Sequence, residues 1–158
     1  MTVTAVAPPR DSAIAGWYDG ADLVDAYAVR RPAGAPTDAA AIAAALLADP
    51  PPYFRVLLRL RDLIMARFGV KTTAELRHAA HGPRIDFFPV LSATPGEVIL
   101  GEDDRHLDFR LSVRLTADDM VVATTAVRCH NRLGRAYLAA IKPFHILIVR
   151  SLLARLGR

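Results

Sequence analysis

The sequence has a single cysteine, Cys129, few aromatic residues (7%) and no run of eighteen consecutive apolar residues. One thiol excludes a disulfide framework and a cysteine-based zinc site. The lack of a long apolar run argues against an ordinary membrane span. No charged segment followed by an apolar stretch opens the chain, so no secretory signal is expected. With one unpaired cysteine, the expected location is the reducing cytoplasm. No glycine-rich dinucleotide fingerprint follows a strand, and no serine sits in a G-x-S-x-G elbow. Neither a metal nor an organic cofactor is expected.

Acidic residues are missing from the last fifth of the chain. Arg128 to Arg158 holds seven basic residues and no carboxylate; by subtraction from the overall +4, the first 127 residues carry −3. Such a segment suits an anionic ligand, an anionic lipid or an acidic partner. It equally suits a helix whose cations complement its own macrodipole. Aromatics are sparse there and no nucleic-acid module accompanies the charge, so no nucleic-acid partner is expected.

What remains is enough for one domain. The chain has 158 residues, 53% hydrophobic and 23% charged. That is too apolar for disorder and long enough to bury a core without covalent staples. Residues 1–20 read as a lead-in, with Trp17 and Tyr18 tucked against a single domain spanning 21–158. Leu23, Tyr27 and Val29 mark a first strand within Ala21–Arg31. Thr37 can cap an alanine-rich helix ending near Ala48, before Asp49-Pro50-Pro51-Pro52. Tyr53, Leu57, Leu60, Ile64 and Phe68 recur at helical spacing, with Arg55, Arg59 and Arg67 on the solvated side. Gly69 suits the residue after that helix, and Thr72-Thr73-Ala74-Glu75 resembles a capping box for a short helix, Thr73–Ala80. Glu75, His78 and His81 fan over about 120° of that helix and do not converge on a metal.

From Arg84 the pattern turns to strands: Arg84–Ser92 with Pro89 at an edge or bulge, Glu97–Gly101, Leu107–Leu115 and Met120–His130. A last helix is expected from Pro143 to about Leu156. Helices and strands are segregated, so the fold class is α+β: a curved antiparallel sheet wrapped around a long C-terminal helix, with two or three helices inserted after the first strand. The space between sheet and helix can stay open as a cavity.

Two polar clusters are candidate sites. In Glu102-Asp103-Asp104-Arg105-His106, followed by Asp108 and Arg110, carboxylates, an imidazole and guanidinium groups lie within nine residues. They can perturb one another and build an acid/base site, or form a solvated hairpin end held by ion pairs. Backward continuation of the Leu107–Leu115 alternation puts Asp103 and Arg105 on the inward face. In His130-Asn131-Arg132-Leu133-Gly134-Arg135, near Tyr137, His130 can act as acid or base, and Arg132 or Arg135 can hold an anion. Asn131 and Gly134 suit a bulge or a positive φ. The catalytic candidates are Asp103, His106 and His130. The ligand-binding candidates are Arg105, Arg110, Asn131, Arg132, Arg135 and Tyr137.

The strings Gly101-Glu102-Asp103-Asp104-Arg105-His106-Leu107-Asp108-Phe109-Arg110, His130-Asn131-Arg132-Leu133-Gly134-Arg135-Ala136-Tyr137-Leu138, Leu60-Arg61-Asp62-Leu63-Ile64 with Phe68-Gly69-Val70-Lys71, and Pro143-Phe144-His145 resemble the bacterial domain-of-unknown-function family numbered 2867. The resemblance runs from about Ser12 to the end of the chain. It supplies no reaction. The element order is similar to helix-grip proteins of the START and polyketide-cyclase type (SRPBCC). What that similarity implies is a small hydrophobic or amphipathic ligand between sheet and helix. The first expectation is therefore a binding protein. The second is a cyclase, hydratase or isomerase, and the third is a docking protein working through its basic C-terminal segment. Oligomeric state is left open.

Overall fold

Period-two alternation places every inward apolar side chain of the sheet. In the computed structural model, which describes residues 2–69, 72–78 and 82–156, the strands are β1 (Thr4–Ala5), β2 (Leu23–Arg30), β3 (Arg84–Ile85), β4 (Phe88–Ala93), β5 (Glu97–Asp103), β6 (Leu107–Leu115) and β7 (Met120–Cys129). They form one antiparallel sheet in the order β1-β2-β7-β6-β5-β4-β3. The helices are α1 (Ala39–Ala48), α2 (Pro52–Ala66), α3 (Thr73–His78) and α4 (Arg132–Arg155). The fold is α+β, a sheet gripping a long C-terminal helix, consistent with the helix-grip arrangement.

One face of the sheet meets α1 and α4. Val29, Val98, Leu100, Val113, Val121 and Ala123 pack there against Ile42, Leu46, Leu47, Leu152 and Leu153. Each fully buried aliphatic side chain contributes about 1.5–3 kcal/mol. A second cluster on the same face joins Leu23, Val127 and Cys129 to Leu138, with Leu107, Phe109 and Ile141 half-buried beside it.

The opposite face is covered by the chain's own beginning. Ile14, Trp17 and Tyr18 lie on Val24, Ile99 and Ala126. Glu97 accepts hydrogen bonds there from Ser12 Oγ (2.5 Å), Ser112 Oγ (2.6 Å) and the Ala13 amide (3.1 Å). Trp17 and Tyr18 thus tuck against the body as expected, and the lead-in also supplies β1.

Several local expectations meet the structure directly. Gly69 has φ +72°, the left-handed conformation that ends a helix. Thr72 and Glu75 cap α3 reciprocally: the Thr72 amide donates to Glu75 Oε2 (2.6 Å) and the Glu75 amide to Thr72 Oγ1 (3.2 Å). Pro89 lies on β4, one strand in from the edge and opposite Arg84 of the two-residue β3; of the two alternatives it meets the bulge, with a register shift between Val90 and Ser92. The expected extension of α3 to Ala80, and with it His81, lies outside the described residues.

Four local expectations are corrected. The cap of α1 is Asp38, whose Oδ1 accepts from the Ala41 amide (3.0 Å), rather than Thr37. The final helix starts at Arg132, eleven residues before Pro143, which sits inside it. Asn131 caps it from an extended backbone (φ −150°), accepting from the Gly134 amide at 2.9 Å; neither a bulge nor a positive φ occurs. In α2 the buried side is Phe54 and Leu58 against Phe87, Phe88 and Ile148. Leu60 and Phe68, expected on the apolar face, are each 50% exposed. Phe54, 7% exposed in the first turn of α2, sets which side of the helix faces in.

Candidate functional site

A polar layer crosses the gripped face between its two apolar clusters. Asp25 takes an inward position of β2, between Leu23 and Tyr27, both buried. His145 lies on the sheet-facing stripe of α4, seven residues from Leu138 and seven from Leu152, both buried. Two heptads on a helix bring side chains back to nearly the same face. The two polar residues meet: His145 Nε2 is 3.1 and 3.2 Å from the Asp25 carboxylate oxygens. The side chains are 19% and 16% exposed, so the pair is reachable but mostly withdrawn from water.

Thr125 completes the layer. It stands opposite Asp25 on one side and Leu111 on the other in the ladder of β7. Its Oγ1 is buried and has no hydrogen-bond partner among the described residues. Such a hydroxyl costs about 1–3 kcal/mol to leave unpaired, which makes it a marker of a site that takes a polar group. With Nε2 facing Asp25, Nδ1 is the ring nitrogen left to meet a ligand or a proton. This layer can orient a polar ligand group or move a proton.

The space around it is tight. A void of about 40 Å³ lies under α1 and α4, lined by Leu46, Leu47, Leu100, Leu111, Val149 and Leu153 among others. Sites for drug-sized ligands run to about 300–1,000 Å³. The open cavity expected from the fold class is therefore largely filled, because leucines from both helices converge on the sheet.

At the outer margin of the grip, α2 is laced to α4. Tyr53 Oη donates to Ser151 Oγ (2.6 Å), and Arg61 Nε donates to Tyr137 Oη (3.3 Å) while its Nη1 pairs with Asp62 (2.8 Å). Burial disfavours the charge on Arg61, but Tyr137 and Asp62 more than offset it and raise its pKa. Tyr137 is thus the one sequence candidate that borders the gripped side.

The other candidates fall in two places. Asp103 lies on the outer face, not the inward one, because a turn at Asp104–His106 interrupts the alternation before β6. It pairs with Arg110 (2.6 Å), whose guanidinium stacks on Trp17 at 4.1 Å. His130 and Asp108 also meet outside, at 2.9 Å, with the histidine 44% exposed. Arg135 stands 3.6 Å from Asp22. Arg132 opens α4 on its exposed side.

His106 belongs to a junction. Its Nδ1 is 2.9 Å from the Asn131 amide nitrogen, and its Nε2 is 3.3 Å from the Phe68 carbonyl. The two contacts fit one neutral tautomer, with Nδ1 accepting and Nε2–H donating. Arg105 reaches from the same turn toward Gly69. The two sequence clusters do meet, through the His130 amide donating to the His106 carbonyl (2.9 Å) as well as Asp108–His130. Asp103, His106 and His130 do not converge on one cavity.

Asp25 and His145 lie outside both polar clusters of the sequence, yet each leaves a mark there. Each is a lone polar residue interrupting an otherwise apolar face, one in a strand and one in a helix. Cys129 is 9% exposed, and burial, then the charge of Asp22, pushes its thiol pKa up. Among the described residues no group of three or more histidine, cysteine or carboxylate side chains can hold a metal.

No curated protein and no solved structure matches the chain. The model of the family described as Protein of unknown function (DUF2867) matches residues 17–152, most of the chain and all of the polar layer, and the chain belongs to that family.

Proposed function

We propose that the chain binds a small hydrophobic or amphipathic molecule on the gripped face, with Asp25, Thr125 and His145 taking its polar end. One observation carries this reading: a polar layer between two apolar clusters, with the Thr125 hydroxyl buried and unpaired. Apolar walls with a few converging polar groups are what small-molecule sites require. The 40 Å³ void under α1 and α4 is too small for such a ligand, so entry requires the helical layer to move off the sheet. The polar latches Tyr53–Ser151 and Arg61–Tyr137 are the contacts that would open.

The test is thermal denaturation against fatty acids, aromatic polyketide-like compounds and small carboxylates. A true ligand at a hundred times its Kd adds about 2.7 kcal/mol of stability. The gain should vanish in Thr125→Val and Asp25→Asn and persist in His130→Ala, whose imidazole lies outside. Thr125→Val is the secure variant, since the hydroxyl it removes has no partner to strand. Stabilisation that survives both inward substitutions rules out this seat.

A second reading rests on the same pair. A histidine oriented by a carboxylate, with its other nitrogen free, is equipped for general acid–base work. If a ligand that binds is also transformed, His145→Gln should abolish turnover while leaving binding measurable.

A further inference from the structure

The outer side of the helical layer is apolar, cationic and uncovered. Val56, Leu60 and Leu63 of α2 are 63%, 50% and 71% exposed, and Phe144 and Leu147 of α4 are 46% and 51% exposed. At 100° per residue Arg55, Arg59, Leu63, Val56 and Leu60 follow one another across about 140° of α2. On α4, Phe144 is seven residues from both Tyr137 and Ser151, which touch α2, so it shares their side of the helix. α4 has the length and mean hydropathy (1.4) of a membrane-crossing helix, yet only 11% of its apolar window is buried.

A groove of about 400 Å³ borders this surface, lined by Asp49, Pro50, Pro52, Arg55, Val56, Arg59 and Arg155. Asp49, its only carboxylate, is engaged by Arg155 at 2.8 Å. Among the described residues Arg55 and Arg59 have no acidic partner. The surface thus joins free guanidinium groups to large aliphatic side chains on one arc.

We propose that this face docks onto an anionic lipid bilayer, with Arg55 and Arg59 at the phosphates and Val56, Leu60, Leu63, Phe144 and Leu147 entering the acyl boundary. That is the layout of a helix lying in a membrane interface. A second copy of the chain fits poorly: an isologous contact sets the same patch against itself, and this patch carries one sign of charge. Nucleic acid fits poorly too, because four of the five apolar side chains are aliphatic and a single ring, Phe144, makes no stacking platform for successive bases.

The experiment is flotation of the full chain with vesicles of phosphatidylcholine alone and of equal parts phosphatidylcholine and phosphatidylglycerol, at physiological salt. Binding to the anionic vesicles only is expected. Arg55→Gln with Arg59→Gln should weaken it about 30-fold, the effect of removing two interfacial charges. Leu60→Asp with Leu63→Asp should abolish it. All four side chains are exposed, so an unchanged melting temperature confirms folding. Failure to float with either vesicle overturns the proposal. So does loss of binding on adding glycerol phosphate, which assigns the groove to a free anion. Binding that survives the Leu60/Leu63 pair, or a dimer abolished by that pair without vesicle binding, overturns it as well.

Discussion

At the scale of single residues, the structure turns on close approaches that sequence chemistry does not advertise. Gly134 lies in the first turn of α4, where alanine would normally gain about 1 kcal/mol. A Cβ there would stand 2.1 Å from the His106 carbonyl oxygen and 3.0 Å from its carbon. Both obstacles are backbone, held by the bond from the His130 amide and by the Asn131–His106 contact. Gly134→Ala should therefore destabilise, by about 1–3 kcal/mol, reversing the helix-propensity sign. Urea denaturation decides it, and a variant as stable as the parent refutes the tight junction. The same junction explains why His106, Asn131 and Arg105 read as a site in the sequence. Dense polar chemistry was gathered to tie a hairpin end to two helix ends. The pair with the stronger claim, Asp25 and His145, is separated by 120 residues, and each is isolated in its own segment. It was legible only as two interruptions of two apolar faces, a weaker mark than a charged string.

At the scale of elements, the strands were legible because alternation is local and burial enforces it. Leu107–Leu115 kept its predicted bounds, with its apolar set on the gripped face. The last helix was not, because Pro143 carries the strongest start signal in its neighbourhood and Gly134 reads as a place for a bulge or a positive φ. Tertiary packing overrides both: Asn131 caps, and Leu138, His145 and Leu152 make a continuous stripe. Pro143 removes the hydrogen bond that the Ala139 carbonyl would accept in a regular helix, and both residues are exposed, so packing does not require the proline ring there. Pro143→Ala should consequently stabilise the fold. Proline inside a helix costs about 3 kcal/mol, part of which is offset by its stiffening of the unfolded chain. A net gain of about 1–2 kcal/mol is expected, visible as a higher denaturant midpoint at unchanged slope. A lower midpoint means the local helix geometry at Pro143 is needed for docking on the sheet.

At the scale of the whole molecule, one sheet divides two environments, each closed by a different end of the chain. The C-terminal helix covers the face with the polar layer, and the N-terminal segment covers the face with the ion pairs. Trp17 is the centre of the second closure. Its ring stacks with the guanidinium groups of Arg110 (4.1 Å) and Arg128 (4.5 Å), and Arg128 donates to the carbonyls of Gly16, Trp17 and Asp19. Arg114 holds Asp11 at the near end of the segment, and their bond lowers the Asp11 pKa. Removing the indole strips both guanidiniums of their stacking partner and uncovers Ile99 and Ala126. Trp17→Ala should cost about 2–4 kcal/mol, less than a fully buried tryptophan because its ring is only half-enclosed. For a chain of this size the melting temperature should fall by about 5–15 °C. Because the seat of Asp25, Thr125 and His145 lies across the sheet, ligand binding measured well below the melt should persist in this variant. Limited trypsin digestion separates the two faces further: cleavage after Arg10 should accelerate while α4 stays protected. Equal loss of protection at both ends would mean that the two faces melt as one unit, and that the closure by Trp17 is as much a part of the grip as α4 itself.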